Sequence, residues 1–359
     1  MLRAARTFCL VLTLIILTSS IPCQAAAPTL SAAAYVLLDA ESGRVLLAKN
    51  ETEQRAIAST TKIMTALAAL RLSRLTDSVT VRREHLREGS SMYLAAGETL
   101  TMEALLYGLM LPSGNDAAEC IADFCGPGRE AFVRRMNALA AALSMEHTAF
   151  ANPSGLDEAG HYSCALDMAR LMAYAMREPA FAQIVSAKTA TVGARTMANH
   201  NKLLGAAEGC VGGKTGYTGK AGRTLVTCAE RGGLRLIAVT LHDGNDWADH
   251  AALYDYGFAA YRAEPVLARG EACAVAAVRG GKAGCVSLRA AEGVTLALAG
   301  GEAAEIRYEL PEALDAPVAA GQRVGEAVIL LDGAELARVA LLAAERVDPA
   351  EYRAPWWRR

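Results

Sequence analysis

Three short constellations in this sequence carry residue types that can do chemistry. Ser59-Thr60-Thr61-Lys62 sets a hydroxyl and an amine three residues apart. On a helix those two positions share a face, one turn apart. A serine hydroxyl is a poor nucleophile until a base takes its proton. A lysine can be that base if burial or a neighbouring cation lowers its pKa. A helix start adds free N–H groups that can hold an oxyanion. Alone this is thin evidence, since roughly one S-x-x-K is expected by chance in a chain of this length.

The second constellation, Ser113-Gly114-Asn115, follows Pro112. Its serine could shuttle a proton to a leaving group, and its amide could hold a peptide carbonyl. The third is Lys214-Thr215-Gly216, inside a glycine-crowded run from Gly209 to Gly222. It looks like a phosphate loop, but that loop needs four residues between its first glycine and the Gly-Lys pair. Here three residues separate Gly209 from Gly213. The run is followed by two β-rich stretches around Gly232-Gly233, which read as a hairpin rather than as the helix a phosphate site requires. Lys214-Thr215-Gly216 is therefore expected on or beside a strand. There the backbone can pair with an extended peptide, Lys214 and Thr215 can hold a carboxylate, and Gly216 allows close approach. Lys214 near Lys62 would also lower the latter's pKa.

The elements that must position these groups are legible in outline. Residues 33–39 and 45–48 read as strands around a Glu41-Ser42-Gly43 turn. Helices are expected over 58–72, 101–111, 116–124 and 130–143, the second stopped at Pro112. Two strands, then helices, then a hairpin imply an antiparallel sheet with helices packed on it, an α/β chain of the α+β kind. From about Arg262 to Val347 short β-like runs are separated by Gly, Pro and Asp, which reads as a small all-β domain. The peptidase-like part spans 28–260, the β-rich part 262–347 and a tail 348–359. Trp356, Trp357, Arg358 and Arg359 in that tail suit a lipid interface and a frayed terminus equally.

Composition sets limits. With 359 residues, 53% hydrophobic and 21% charged, the chain can build two cores. A net charge of −2 gives no reason to expect a nucleic-acid partner. Residues 1–25 follow the charged, apolar, small-residue order of a secretory signal peptide, with Arg3 and Arg6 before the apolar run 8–17. Cys273 and Cys285 flank a glycine-rich turn and could pair across a hairpin, while the other cysteines read as buried thiols. His242, Asp243 and His250 are the one cluster with zinc-ligand residue types. Their spacing matches no recognised zinc site, so a solvated turn is the reading.

In this order, S-x-x-K, S-x-N and K-T-G resemble the motif set of the penicillin-recognising serine enzymes. The segments 89–94, 97–101, 109–118, 152–156, 161–163, 167–170, 199–203 and 214–222 narrow this. They are similar to the low-molecular-weight D-alanyl-D-alanine carboxypeptidases of peptidase family S11, from about Ala33 to Phe258. The β-rich remainder resembles that family's C-terminal domain.

The resemblance implies a β-lactamase/transpeptidase-like fold and a serine D,D-peptidase. Its substrate would be a peptidoglycan stem peptide ending in D-Ala-D-Ala, with β-lactams as inhibitors and no metal or cofactor. Ser59 would be the nucleophile and Lys62 the base. Ser113 and Asn115 would complete the proton path and hold the substrate. Lys214, Thr215 and Gly216 would bind its carboxylate end. Backbone N–H groups of Ser59 and of a residue shortly after Gly216, with Thr218 as candidate, would form the oxyanion hole. Family members often carry an arginine just after the second hairpin strand, whereas residues 241–250 here hold none. Against a class A β-lactamase stand Gly114 in the second motif and the extra β domain. A decayed, non-catalytic relative would have lost Ser59 or Lys62.

Overall fold

The computed structural model describes residues 26–351. The signal-peptide reading of residues 1–25 and the interfacial reading of Trp356 to Arg359 therefore lie outside the described residues. The chain opens with β1 (Ala34–Asp39) and β2 (Val45–Lys49). A helical block follows: α1 (Lys62–Leu72), the short pair β3 (Ser78–Thr80) and β4 (Thr99–Thr101), then α2 (Met102–Met110), α3 (Asn115–Cys125), α4 (Arg129–Ala142), α5 (Ala165–Ala175) and α6 (Pro179–Ser186). A small hairpin, β5 (Thr189–Val192) and β6 (Arg195–Ala198), leads to β7 (Cys210–Thr218), β8 (Gly222–Arg231) and β9 (Leu234–Leu241). Helix α7 (Asp246–Ala260) completes this unit.

The main sheet has the order β2-β1-β9-β8-β7 and is antiparallel throughout. Every residue of β1 is buried, because the sheet is covered on both faces. Successive side chains of a strand point to opposite faces. Val36 and Leu38 join the core beneath α1, α2 and α5, whereas Tyr35 and Leu37 join a second cluster under Leu253 and Tyr254 of α7. β7 is an edge strand of this sheet, as β2 is at the other end, so its free edge can pair with an incoming chain.

The expected helix over 58–72 divides in two. Residues Ala58–Thr61 form a 3-10 turn, and α1 begins at Lys62. Helices α5, α6 and α7 were not among the sequence expectations. His242 is exposed in a bend, as expected, but helix α7 replaces the solvated turn expected around His250. His250 is fully buried, with Nδ1 2.7 Å from Thr227 Oγ1 and Nε2 3.1 Å from Thr240 Oγ1. Both ring nitrogens are thus held by core threonines.

Beyond α7 the chain is all strand: β10 (Tyr261–Leu267), β11 (Ala272–Arg279), β12 (Cys285–Ala290), β13 (Val294–Ala299), β14 (Glu305–Glu309), β15 (Leu314–Asp315), β16 (Arg323–Leu331) and β17 (Ala334–Ala343). β10 pairs with β13, and the remaining six form a second sheet. Their alternating apolar residues make a separate core around Val286, Leu288, Ile329 and Leu341. The β11–β12 register sets Cys285 opposite Ala277, four residues from Cys273, and both thiols are free. Arg44, whose Nη2 lies 2.6 Å from Glu302 Oε1, links the two units. Among the described residues no helix is long and apolar enough to cross a membrane.

Candidate active site

Ser59 sits in the 3-10 turn that precedes α1. The residue before it, Ala58, has φ +48°, a left-handed conformation that costs an L-residue about 1–2 kcal/mol. The surroundings hold it there. Thr60 Oγ1 donates to Ile57 O at 2.6 Å and Thr61 Oγ1 to Ala58 O at 2.8 Å. From β8, Thr224 Oγ1 donates to Ile57 O at 3.1 Å. His161 completes the clamp. Its Nδ1 accepts from Ala151 N at 3.1 Å, so the ring proton belongs on Nε2, 2.8 Å from Thr61 Oγ1. Burial lowers the His161 pKa to about 4, which keeps the ring neutral.

Two glycines let other segments reach this turn. A Cβ on Gly155 would fall 1.9 Å from Ala58 O. A Cβ on Gly216 would fall 2.4 Å from Thr224 Oγ1 and 3.0 Å from Ser59 N. Both spacings are tighter than carbon tolerates, so the 152–156 loop and β7 approach the Ser59 turn only as glycine backbone.

Lys62 is fully buried one turn after Ser59. Its Nζ lies 2.9 Å from Ser59 Oγ, 2.8 Å from Asn115 Oδ1 and 2.6 Å from Ser154 O. Asn115 Oδ1 and Ser154 O can only accept. A neutral amine has two N–H bonds and one lone pair. With both N–H bonds given to these fixed acceptors, the lone pair is left for the Ser59 hydroxyl. Burial pushes the Lys62 pKa well below the ordinary lysine value, and the Lys214 cation lowers it further; Asp116 and Glu119 oppose the shift.

Ser113 has φ +66° and lines the cleft. Its Oγ is buried and has no hydrogen-bond partner among the described residues. Asn115 starts α3; its Nδ2 donates to Glu88 O at 3.0 Å and its backbone N to Ser90 O at 2.7 Å. Neighbouring Asp116 accepts from Ser91 Oγ, Met92 N and Leu94 N, which orders the loop whose Ser90 also lines the cleft.

On the third side runs β7. Lys214 is buried, and its Nζ donates to Thr215 O at 2.8 Å. Burial lowers its pKa to about 7. Thr215, Gly216 and Tyr217 line a cavity of about 470 Å³ together with Ser59 and Ser113. Thr218 does not line it: its hydroxyl donates to Asp157 Oδ1 at 2.8 Å and accepts from Ala221 N. Tyr217, the residue directly after Gly216, does line it, and is a second candidate for the oxyanion N–H. The sequence reading also gave no role to Ser154, His161 or Arg223. Ser154 acts through a backbone carbonyl, which has no sequence signature. Arg223 lines the cavity from β8, outside the segment 241–250 where an arginine was sought.

A family model described as D-alanyl-D-alanine carboxypeptidase matches residues 22–245, and one described as the C-terminal domain of penicillin-binding protein 5 matches 261–349. The chain is 33% identical over 334 residues to the D-alanyl-D-alanine carboxypeptidase DacF of Bacillus subtilis, covering 88% of this chain and 86% of the relative. It is 32% identical to DacC of Escherichia coli, covering 92% and 88%. The solved structure of penicillin-binding protein 5 from Haemophilus influenzae aligns with a TM-score of 0.79 at 30% identity, over 90% of this chain and 99% of that one. A DD-transpeptidase of Streptomyces K15, solved as a point mutant, aligns with a TM-score of 0.63 at 32% identity, over 65% of this chain and 99% of that one.

Proposed function

Given that this chain belongs to peptidase family S11 and is a serine-type D-alanyl-D-alanine carboxypeptidase, we propose that Ser59 attacks the carbonyl between the two terminal D-alanines of a peptidoglycan stem peptide. Lys62 takes the Ser59 proton as the Oγ–carbon bond forms. The N–H groups of Ser59 and Tyr217 hold the resulting oxyanion. The proton returns through Ser113 to the leaving nitrogen, the C–N bond breaks, and D-alanine departs. An ester on Ser59 remains, which water opens with Lys62 again as base. β7 pairs with the extended peptide, and Thr215 reaches its carboxylate end. Lys214 acts from behind the wall as the cation that helps keep Lys62 neutral.

The observation that carries this reading is the Lys62 amine, fixed by two acceptors and 2.9 Å from Ser59 Oγ. Penicillins, which present a reactive amide beside a carboxylate, would acylate the same serine. The reading also takes residues 28–260 as the peptidase domain and 262–347 as a β domain, in keeping with their separate cores. It places the mature enzyme outside the cytoplasm, where its stem-peptide substrate is, with residues 1–25 removed. There it would trim cell-wall precursors, and the 348–359 tail could rest on the membrane.

The test is D-alanine release from a stem pentapeptide, read by mass spectrometry. Wild type should release one D-alanine, and a peptide ending in L-alanine should survive. Release by Ser59→Ala at the wild-type rate, or equal cleavage of both peptides, would contradict the mechanism.

A further inference from the structure

The mechanism above leaves one buried polar side chain beside the base without a role. Asn152 is 1% exposed, at the head of the loop that meets the Ser59 turn. Its Oδ1 accepts from Gly155 N at 2.7 Å and from Ser154 N and Ser154 Oγ, each at 3.2 Å. Its Nδ2 donates to Leu156 O at 2.9 Å and to Glu158 Oε2 at 3.0 Å. The two ends of this amide cannot be exchanged. A flip would set Nδ2 against two backbone donors, and Oδ1 against a carbonyl and a carboxylate. Glu158 is held in turn by Arg129, whose Nη2 donates to the same Oε2 at 3.0 Å.

The turn that Asn152 shapes presents two successive carbonyls to α1. Pro153 O accepts from Thr65 Oγ1 at 2.6 Å, and Ser154 O accepts from Lys62 Nζ at 2.6 Å. Lys62 and Thr65 are three residues apart on α1, so they share a face. Gly155 follows at φ +87° and lies so close to Ala58 O that a Cβ has no room. One short segment therefore meets the base through Ser154 and the nucleophile's turn through Gly155. For the base, direction matters as much as distance. Its two fixed acceptors come from different elements, Asn115 Oδ1 from α3 and Ser154 O from this turn. With the second one lost, the amine can rotate, and its lone pair no longer points at Ser59 Oγ.

Building on the reading of Lys62 as the base, we propose that Asn152 is a positioning residue of the reaction. It fixes the direction of the Ser154 carbonyl, which aims the Lys62 lone pair at Ser59. Glu158, held by Arg129, fixes the direction of the Asn152 amide itself. Asn152 touches no reacting atom, so its contribution is to rate rather than to substrate binding.

The test measures D-alanine release from the stem pentapeptide against pH, with thermal unfolding of the same samples. The full chain is compared with Asn152→Ala, Asn152→Ser and Lys62→Met. Asn152→Ala should lower kcat and kcat/KM together, on the order of ten- to hundredfold. A carbonyl favours the ammonium form that donates to it. Its loss lowers the Lys62 pKa, so the acid limb of the profile should move to lower pH while the plateau falls. The charges that bear on Lys62 from other elements, Lys214 on β7 and Asp116 and Glu119 on α3, are the same in both Asn152 variants. An amine that is more often neutral and still slower has lost its aim. Asn152→Ser, whose hydroxyl can close the turn more weakly, should recover part of the rate, and it carries the test if Asn152→Ala does not fold. An unchanged kcat in a folded variant would overturn the proposal. So would a loss confined to KM, or a lower plateau with the acid limb in place or moved up, since a loop that only supports the fold gives those results. Wild-type rates in Lys62→Met would instead remove the base itself, and this proposal with it.

Discussion

The two units of the chain bury very different things. Every buried polar or charged side chain among the described residues lies between Asp39 and His250, in the unit that carries Ser59. The C-terminal unit buries only apolar side chains, and its charges, such as the Arg338 cluster with Glu309, Glu326 and Glu335, stay at the surface. Burying an amine is unfavourable unless its hydrogen bonds are met and its charge is given up. The first unit buries two, Lys62 and Lys214, within one cleft. It also keeps Ala58 and Ser113 at positive φ. The β unit buries no amine, so its core can be read as packing alone. Chemistry and stability are therefore separable in this molecule, and mutation should part them.

The largest separation is expected from Ser59→Ala. Removing a nucleophile costs on the order of 10⁶ in kcat. The fold loses one hydrogen bond, worth about 1 kcal/mol. Steady-state D-alanine release and thermal unfolding of one sample would show both. A variant that is inactive because it is unfolded would erase the contrast.

The converse is Leu341→Ala in the β core. Leu341 is fully buried, and such a truncation costs about 2–5 kcal/mol. Denaturant unfolding should record that loss, while kcat/KM below the transition stays near wild type. A proportional fall in kcat/KM would show that the β unit shapes the cleft.

Lys214→Met sharpens the comparison within the first unit. It removes a cation that lowers the Lys62 pKa, so that pKa rises. Lys62 must be neutral to accept a proton, and the acid limb of the kcat/KM profile should move to higher pH. Stability should respond as well. Between about pH 7 and the ordinary lysine value of 10.5, the unfolded wild-type chain binds a proton at Lys214 that the folded chain does not. This group therefore makes the fold more stable as pH rises through that window, and Lys214→Met should lose that rise. An unmoved acid limb would separate Lys214 from the tuning of Lys62.

Much of this site was legible because its side chains act at fixed spacings. Ser59 and Lys62, Ser113 and Asn115, and Lys214 to Gly216 are brought to one cleft by the elements expected to carry them. What escaped acts through backbone or fold. The left-handed turn at Ala58 is imposed by Thr60, Thr61, Thr224 and His161, which no local pattern connects. The Thr218 side chain lies off the cleft because the turn into β8 draws its hydroxyl to Asp157 and Ala221. Helix α7 was hidden because its buried face mixes Asp246, Asp249 and His250 with Leu253, Tyr254 and Gly257. That spacing is helical, but half of it is polar, so the apolar periodicity never appears. Missing α7 also meant missing Arg223, whose partners Asp246 and Trp247 open that helix.

The account rests on Ser59 being acylated with Lys62 as its base. The most direct measurement is intact-mass spectrometry of the purified protein mixed with benzylpenicillin, followed in time at several pH values. Ser59→Ala and Lys62→Met serve as comparisons. The account predicts a single, slowly cleared adduct that maps to Ser59 and forms faster as pH rises along the acid limb. That adduct should be missing in Ser59→Ala and strongly slowed in Lys62→Met. An adduct on another residue, none at all in folded protein, or acylation of Lys62→Met at the wild-type rate would contradict it.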